Sequence, residues 1–452
     1  MEIPILKAGR PAATAAGFAL FLTGLMAVPV MAQQSSPAAA QQGQKAKHYK
    51  DRAEYELYLK VTKTTDPQQR LQLLNTWKDK YPTSDFKEDR LKYFVTTYAQ
   101  LALKEDSQRP ALIQQSEALL KLDPNAFLAN YYVALYGPQV PLTPQLPEQV
   151  KTSANAVLKL ADTVFAADKK KGNVSAAQWE KEKVQVQAVG HNALAWAAVQ
   201  NKNNAEAETQ YQKSLQVNPN QGTISALYAQ MLYNDKKFPE ALFEYARAAQ
   251  YSGPGPALSA ASRTQLMNFF NKAYSDYHGS SDGADQVLAQ AKTNALPPTG
   301  FSIVSATQIA NKAAASLNAR IQSDPAFKLW YGIKQSLETQ GDTYFSASVK
   351  GVDVPGGAMG VNTFTGTVIS VNPNQVVLGV EDPKTPDATL TFTKPLTTDE
   401  LSKIQVGSQI QFSGVVDSYT AKPYMLTFKD PELPGIIVTK KPATRHHTRR
   451  RR

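Results

Sequence analysis

The sequence predicts a multidomain α plus β chain: an α-helical repeat solenoid followed by a small C-terminal β-barrel. Three observations carry that prediction. Ala207 and Tyr211 recur as Ala241 and Tyr245, 34 residues further on, and self-similarity at a fixed period of this size marks stacked helical units. Helical patterning runs through residues 48–340 and is interrupted at X-Pro pairs, because proline fits the first turn of a helix and breaks its interior. At Gly341 the character changes, and from Thr363 β-branched residues dominate in alternation, as half-buried strands require.

Laid on a helix–turn–helix unit, the first copy supplies Leu194 and Ala195 on its first helix, Ala207, Tyr211 and Ser214 on its second, and Pro219 at its close. The second supplies Tyr228, Ala229, Leu232, Ala241, Tyr245 and Ala248. Small residues sit where helix backbones approach closely, and the tyrosines fill the gaps between helix pairs. Over residues 188–255 the chain resembles a tetratricopeptide-repeat protein. His191 stands where that family usually has Trp, and Ala198 where it has an aromatic.

In chain order, Asp66-Pro67, Tyr81-Pro82 and Asp123-Pro124 mark helix boundaries, and Leu71–Tyr81 and Leu112–Leu122 read as second helices of degenerate repeats. Gly137–Pro147, with four prolines, is a connection. Val150–Ala167 and Ala176–Gln200 are long helices, the second capped by Ser175. Gly253-Pro254-Gly255-Pro256 breaks the array. A helix pair at Ser259–Tyr277 and Ala284–Thr293 follows, then helical residues 306–338 with Asp324-Pro325 opening the last helix.

Residues 341–362 read as a linker. Strands are expected at Thr363–Val371, Gln375–Glu381, Ala388–Thr393, Ser408–Tyr419 and Tyr424–Lys429, with a short helix at Thr397–Ile404 capped by Thr398 or Asp399. The order strand, strand, strand, helix, strand, strand resembles the OB-fold over residues 363–439.

Lys7 and Arg10 precede an apolar run from Ala12 to Met31, and Val30-Met31-Ala32 offers a peptidase site. A signal peptide over residues 1–32, cleaved near Ala32, is expected, followed by a tether over residues 33–47 and a periplasmic or secreted location. The absence of Cys excludes disulfides and thiolate metal sites. Of the net charge of +11, seven units belong to Lys440, Lys441, Arg445, Arg449, Arg450, Arg451 and Arg452. That basic tail, residues 440–452, is an expected contact for anionic surfaces. It also makes the basic isoelectric point a poor argument for nucleic acid, which is not an expected partner.

The tetratricopeptide resemblance implies a partner-binding groove lined by Val189, Asn192, Trp196, Val199 and Gln200 in one repeat and Thr223, Ala226, Gln230, Tyr233 and Asn234 in the next. No Lys or Arg occupies these positions, which argues against a carboxylate clamp. Gly279-Ser280-Ser281-Asp282-Gly283, beside His278, satisfies a nucleophile-elbow pattern, but its flanks are two helices where that chemistry needs a strand-to-helix turn. Ser84–Lys87 matches S-x-x-K, with Ser84 or Asp85 better read as a helix cap. Gly-rich Pro355–Gly360 lacks the Lys-Ser/Thr pair of a phosphate loop, and His48 and His191 are too dispersed for a metal site. Thr389, Thr391 and Thr393 are expected on one face of the third barrel strand, with Leu390 and Phe392 inward and Lys384, Lys394 and Lys422 adding charge.

No catalytic constellation and no cofactor or metal are expected. The expected function is an exported scaffold that binds protein or peptide partners in the bacterial cell envelope. The alternative is a binder of anionic polymer, glycan or lipid through the barrel and the Arg-rich tail.

Overall fold

The computed structural model describes residues 47–436. The expected signal segment and its peptidase site, and the basic tail from Lys440 to Arg452, lie outside the described residues. The chain is mixed α and β and divides into two compact units, meeting between Ala306 and Thr307.

The first unit is helical: α1 (Arg52–Lys63), α2 (Pro67–Lys80), α3 (Lys87–Ala102), α4 (Arg109–Leu120), α5 (Phe127–Tyr136), α6 (Leu146–Val164), α7 (Ala176–Gln200), α8 (Asn204–Val217), α9 (Gly222–Asn234), α10 (Phe238–Gln250), α11 (Ala260–His278) and α12 (Ala284–Thr293). Local chemistry sets the starts. Asp51, Asp66, Ser175, Asn203 and Ser259 each accept a first-turn backbone N–H, which satisfies a donor the helix leaves orphaned. Ser84 does not cap α3: its Oγ accepts from the Phe86 N–H at 3.0 Å, one turn too early, and the N-cap is Phe86, without a side-chain bond. Asp85 instead accepts from the His48 N–H at 3.2 Å.

Two adjoining helix pairs repeat one geometry. α7 ends at Gln200 and α9 at Asn234, while α8 begins at Asn204 and α10 at Phe238, each offset by 34 residues. Both turns pass through a lysine with positive φ, Lys202 at 58° and Lys236 at 61°. Their hydrogen bonds correspond: Asn203 N–H to Ala198 O and Lys237 N–H to Leu232 O, both 2.9 Å, and Lys202 N–H to Val199 O and Lys236 N–H to Tyr233 O at 3.0 and 3.1 Å. These bonds cap the carbonyls that a helix end leaves open. Left-handed backbone costs an L-residue roughly 1–2 kcal/mol, so Lys202→Gly and Lys236→Gly should each stabilise the unit by about 0.5–1 kcal/mol. Lys213→Gly, on the exposed face of α8, should destabilise it by about 1 kcal/mol. Thermal melts of the three variants check the contrast, and a loss in either turn variant would contradict it.

Ala207, Ala241 and Tyr245 are fully buried and Tyr211 nearly so. They belong to one core with Leu215, Ala226, Leu232, Phe243, Phe270 and Ile303. A second core joins α3 to α7 around Tyr131, Tyr132, Val150 and Trp179, and a small one at the start is built on Val61, Leu74, Trp77 and Phe94.

The second unit contains α13 (Ala306–Ser323) from Thr307 onward, α14 (Pro325–Gln340), six strands and the short α15 (Thr398–Ser402). The strands are β1 (Asp353–Val354), β2 (Phe364–Asn372), β3 (Gln375–Gly379), β4 (Ala388–Thr391), β5 (Gln409–Ala421) and β6 (Tyr424–Glu432). The sheet order is β1-β5-β2-β3-β4-β6, with β5 also pairing β6. Only β4 and β6 run parallel, and α15 lies between them in sequence. Its cap is Thr397, which forms a full capping box with Glu400, in place of Thr398 or Asp399. Glu three residues after Thr is the signature of that motif.

The unit boundary precedes the change of sequence character at Gly341. α14 lays Trp330, Ile333 and Leu337 into the same core as Phe364, Phe412, Leu426 and Phe428, so the strands and this helix are one packing unit. Residues 341–362 are correspondingly not a bare linker: Phe345 and Val349 are buried in that core, and β1 pairs with β5.

Candidate partner-binding groove

The ten wall residues predicted from the sequence divide into three groups. Ala226 is fully buried among α9 and α10 neighbours. It cannot touch a partner, because the close helix approach that selects a small residue there also seals it. Val199 and Tyr233 are half-buried against that core, Val189 and Trp196 against the preceding one. Tyr233 is held edge-on by Phe238, Tyr245 and Phe269 at 5.3, 6.1 and 5.6 Å. Its ring is a structural wedge, partly buried against that core.

The polar members differ in freedom. Thr223 is tied to the Pro256 carbonyl by its N–H at 3.1 Å and its hydroxyl at 3.4 Å. Asn192 donates to Gln221 Oε1 at 2.8 Å, while its own carbonyl oxygen is buried without a partner. Gln230 donates to Asn234 at 3.1 Å, and Asn234 is exposed. The accessible part of the wall is therefore the carboxyl-terminal end of α7 and α9, at the exposed Asn234 and the half-buried, polar Gln200 and Gln230, next to the half-buried Trp196, Val199 and Tyr233. Carboxamides both donate and accept, which suits a peptide backbone.

Sequence reasoning missed a polar seam beneath that wall. Gln221, 4% exposed, donates to Ser214 O, Ser214 Oγ and Asn218 O at 3.1, 2.9 and 2.9 Å and accepts from Asn192. It thereby joins α7, α8 and the start of α9. His191 Nδ1 lies 2.7 Å from Gln210 Oε1, and burial lowers its pKa, so at neutral pH the ring is uncharged and Nδ1 is the donor. One helix pair later the matching positions are Ser225 and Glu244. Glu244 has no exposed surface, and neither carboxyl oxygen nor the Ser225 hydroxyl has a directed hydrogen bond. The signal was present in the spacing: Glu244 is three residues from Ala241 and four from Ala248, which places it on the core face.

The other candidate motifs are structural. Ser281 lies in the loop between α11 and α12, framed by Gly279 and Gly283 at φ 93° and 83°, and His278 Nδ1 is bound to Val304 O at 2.7 Å. No strand enters that loop, so the nucleophile-elbow geometry is not formed. Around it opens a polar cavity of about 410 Å³ lined by residues that include Tyr274, His278, Gln286 and Gln290. In Pro355–Gly360, three glycines take up positive φ as a turn leading out of β1.

The threonines of β4 are not open either, and Thr393, past its end, is exposed but bonded. Thr389 and Thr391 donate to Met425 Sδ and Phe428 O at 3.0 and 2.7 Å, and Thr393 is bound to Asp430 through both N–H and hydroxyl. Leu390 and Phe392 point inward as expected. Residues 307–436 carry ten Lys and Arg against twelve Asp and Glu, so that segment has no net positive charge. Against known proteins, no family model matches the chain and no curated protein matches it.

Proposed function

We propose that this protein is a tetratricopeptide-type scaffold that holds a protein or peptide partner of the cell envelope on the wall formed by the ends of α7 and α9. The observation that carries the reading is the coincidence, at a 34-residue offset, of helix ends, left-handed turn residues and hydrogen bonds in consecutive helix pairs. A shared turn with a shared packing residue is what stacking identical helix pairs demands. Export to the periplasm or beyond rests on the apolar amino-terminal run and its peptidase site. The strand pairings, with a helix between β4 and β5 in sequence, support an OB-like reading of the second unit. The acidic balance of residues 307–436 and the bonded threonines favour a docking or structural role there over anionic polymer binding.

Site-specific photo-crosslinking tests the wall. A crosslinker at Gln200, Gln230 or Asn234 should trap a partner in envelope fractions, and one at the exposed Lys213 or Gln216 of α8 should not. Equal trapping from both sets, or capture that disappears only when residues 440–452 are removed, would favour the tail-based alternative.

A further inference from the structure

Glu244 is an acid enclosed by protein with no bonded partner, and its surroundings show what it is suited to do. It lies on α10 near Ser225 of α9, whose hydroxyl is not aligned for a full hydrogen bond but is close enough to favour the ionised carboxyl. The phenol oxygen of Tyr228, also on α9, accepts from Gln212 at 3.0 Å, and no hydrogen bond joins that phenol to Glu244. On its own helix the nearby cation is Arg247, spent elsewhere: its guanidinium donates to Pro219 O and Ala295 O and lies 5.2 Å from the Tyr251 ring centroid. Attraction from Arg247 reaches Glu244 only through space, and no charged group of α11 or α12 acts on it. Glu208 and Glu240 are the other carboxylates near Tyr228. At the matching site one pair earlier stands a neutral amide, Gln210, with partners on both sides.

We propose that Glu244 is a protonation-controlled latch between α9 and α10, closed while the carboxyl is neutral and released when it ionises. An ionised carboxylate with no N–H donor, and with its one nearby cation acting only through space, is poorly held in this enclosure, so ionisation favours the entry of water between the helices. Desolvation, tempered by Ser225 and Arg247, pushes the group up to about 8 from an ordinary 4.5. The closed pair therefore binds a proton that the opened pair has lost. Closure is strongest below pH 4.5, weakens as pH rises through the interval to about 8, and changes little above it. The latch does not depend on a partner, although α9 also carries Gln230, Tyr233 and Asn234.

Amide hydrogen exchange on the full chain tests it, with rates corrected for the intrinsic effect of pH. Protection over residues 222–250 should fall about tenfold per pH unit between pH 5 and 8 and then level off. Residues 127–164 serve as the internal reference, and Glu244→Gln should abolish the slope. A second readout covers a variant that fails to fold: infrared titration of the wild-type chain should show a protonated-carboxyl stretch persisting at pH 7, falling by about half near pH 8 and lost above it. A flat wild-type profile, the same slope in Glu244→Gln, or no such stretch at pH 7 would overturn the latch. None of these measurements involves a partner, so their failure leaves the groove assignment separately testable.

Discussion

Trp330→Ala is expected to cost the second unit about 3–5 kcal/mol, the loss typical of deleting a large core aromatic. The side chain is fully buried, with ring centroids 5.2 Å from Phe364, 6.2 Å from Phe412 and Tyr424, and 6.4 Å from Phe428. It is the point at which α14 enters the strand core. Arg320 adds a clamp, donating to Glu381 O and Val380 O at 2.8 and 2.9 Å, and Lys334 pairs with Glu381. A domain stable by only 5–15 kcal/mol cannot lose the two helices, α13 and α14, that carry these contacts. A chain of residues 307–452 should therefore unfold cooperatively in urea, and one of residues 341–452 should not fold. Cooperative unfolding of the shorter chain, or a Trp330→Ala loss below 1 kcal/mol, would show that the strands are self-sufficient.

That boundary also shows where reading the sequence stops. Helix starts were legible because Asp66, Ser175 and Asp324 announce themselves by a short polar side chain before the helix. Strands were legible by alternation. Which core a helix joins was not: α14 has the same 3.6-residue pattern as the helices of the first unit, and its destination is set by the shape of the aromatic surface around Trp330. Only the fold reveals that surface. The wall residues show the same division. Sequence placed them on one helix face, but whether a given side chain is sealed, like Ala226, wedged, like Tyr233, or open, like Asn234, follows from what packs behind it. Glu244 was readable as a core-facing acid by spacing, whereas its lack of partners depends on where Arg247 goes.

The repeat itself faces its most demanding test at its smallest residues. Ala207 and Ala241 are both fully buried, 34 positions apart, at the same place on the second helix of each pair. If both mark the close approach of paired helices, Leu at either site has nowhere to put its extra carbon atoms, and overpacking should cost about 1–3 kcal/mol in each variant. Ala205, exposed on α8, is the control: Ala205→Leu changes the same chemistry in open solvent and should shift stability by less than about 0.5 kcal/mol. Urea midpoints of the three variants decide the matter. Parallel losses at 207 and 241 with tolerance at 205 mean that the two pairs share one packing register, on which the groove positions depend. Tolerance at either buried alanine would separate the pairs and remove the reason for reading Gln200 and Asn234 as equivalent points on one wall.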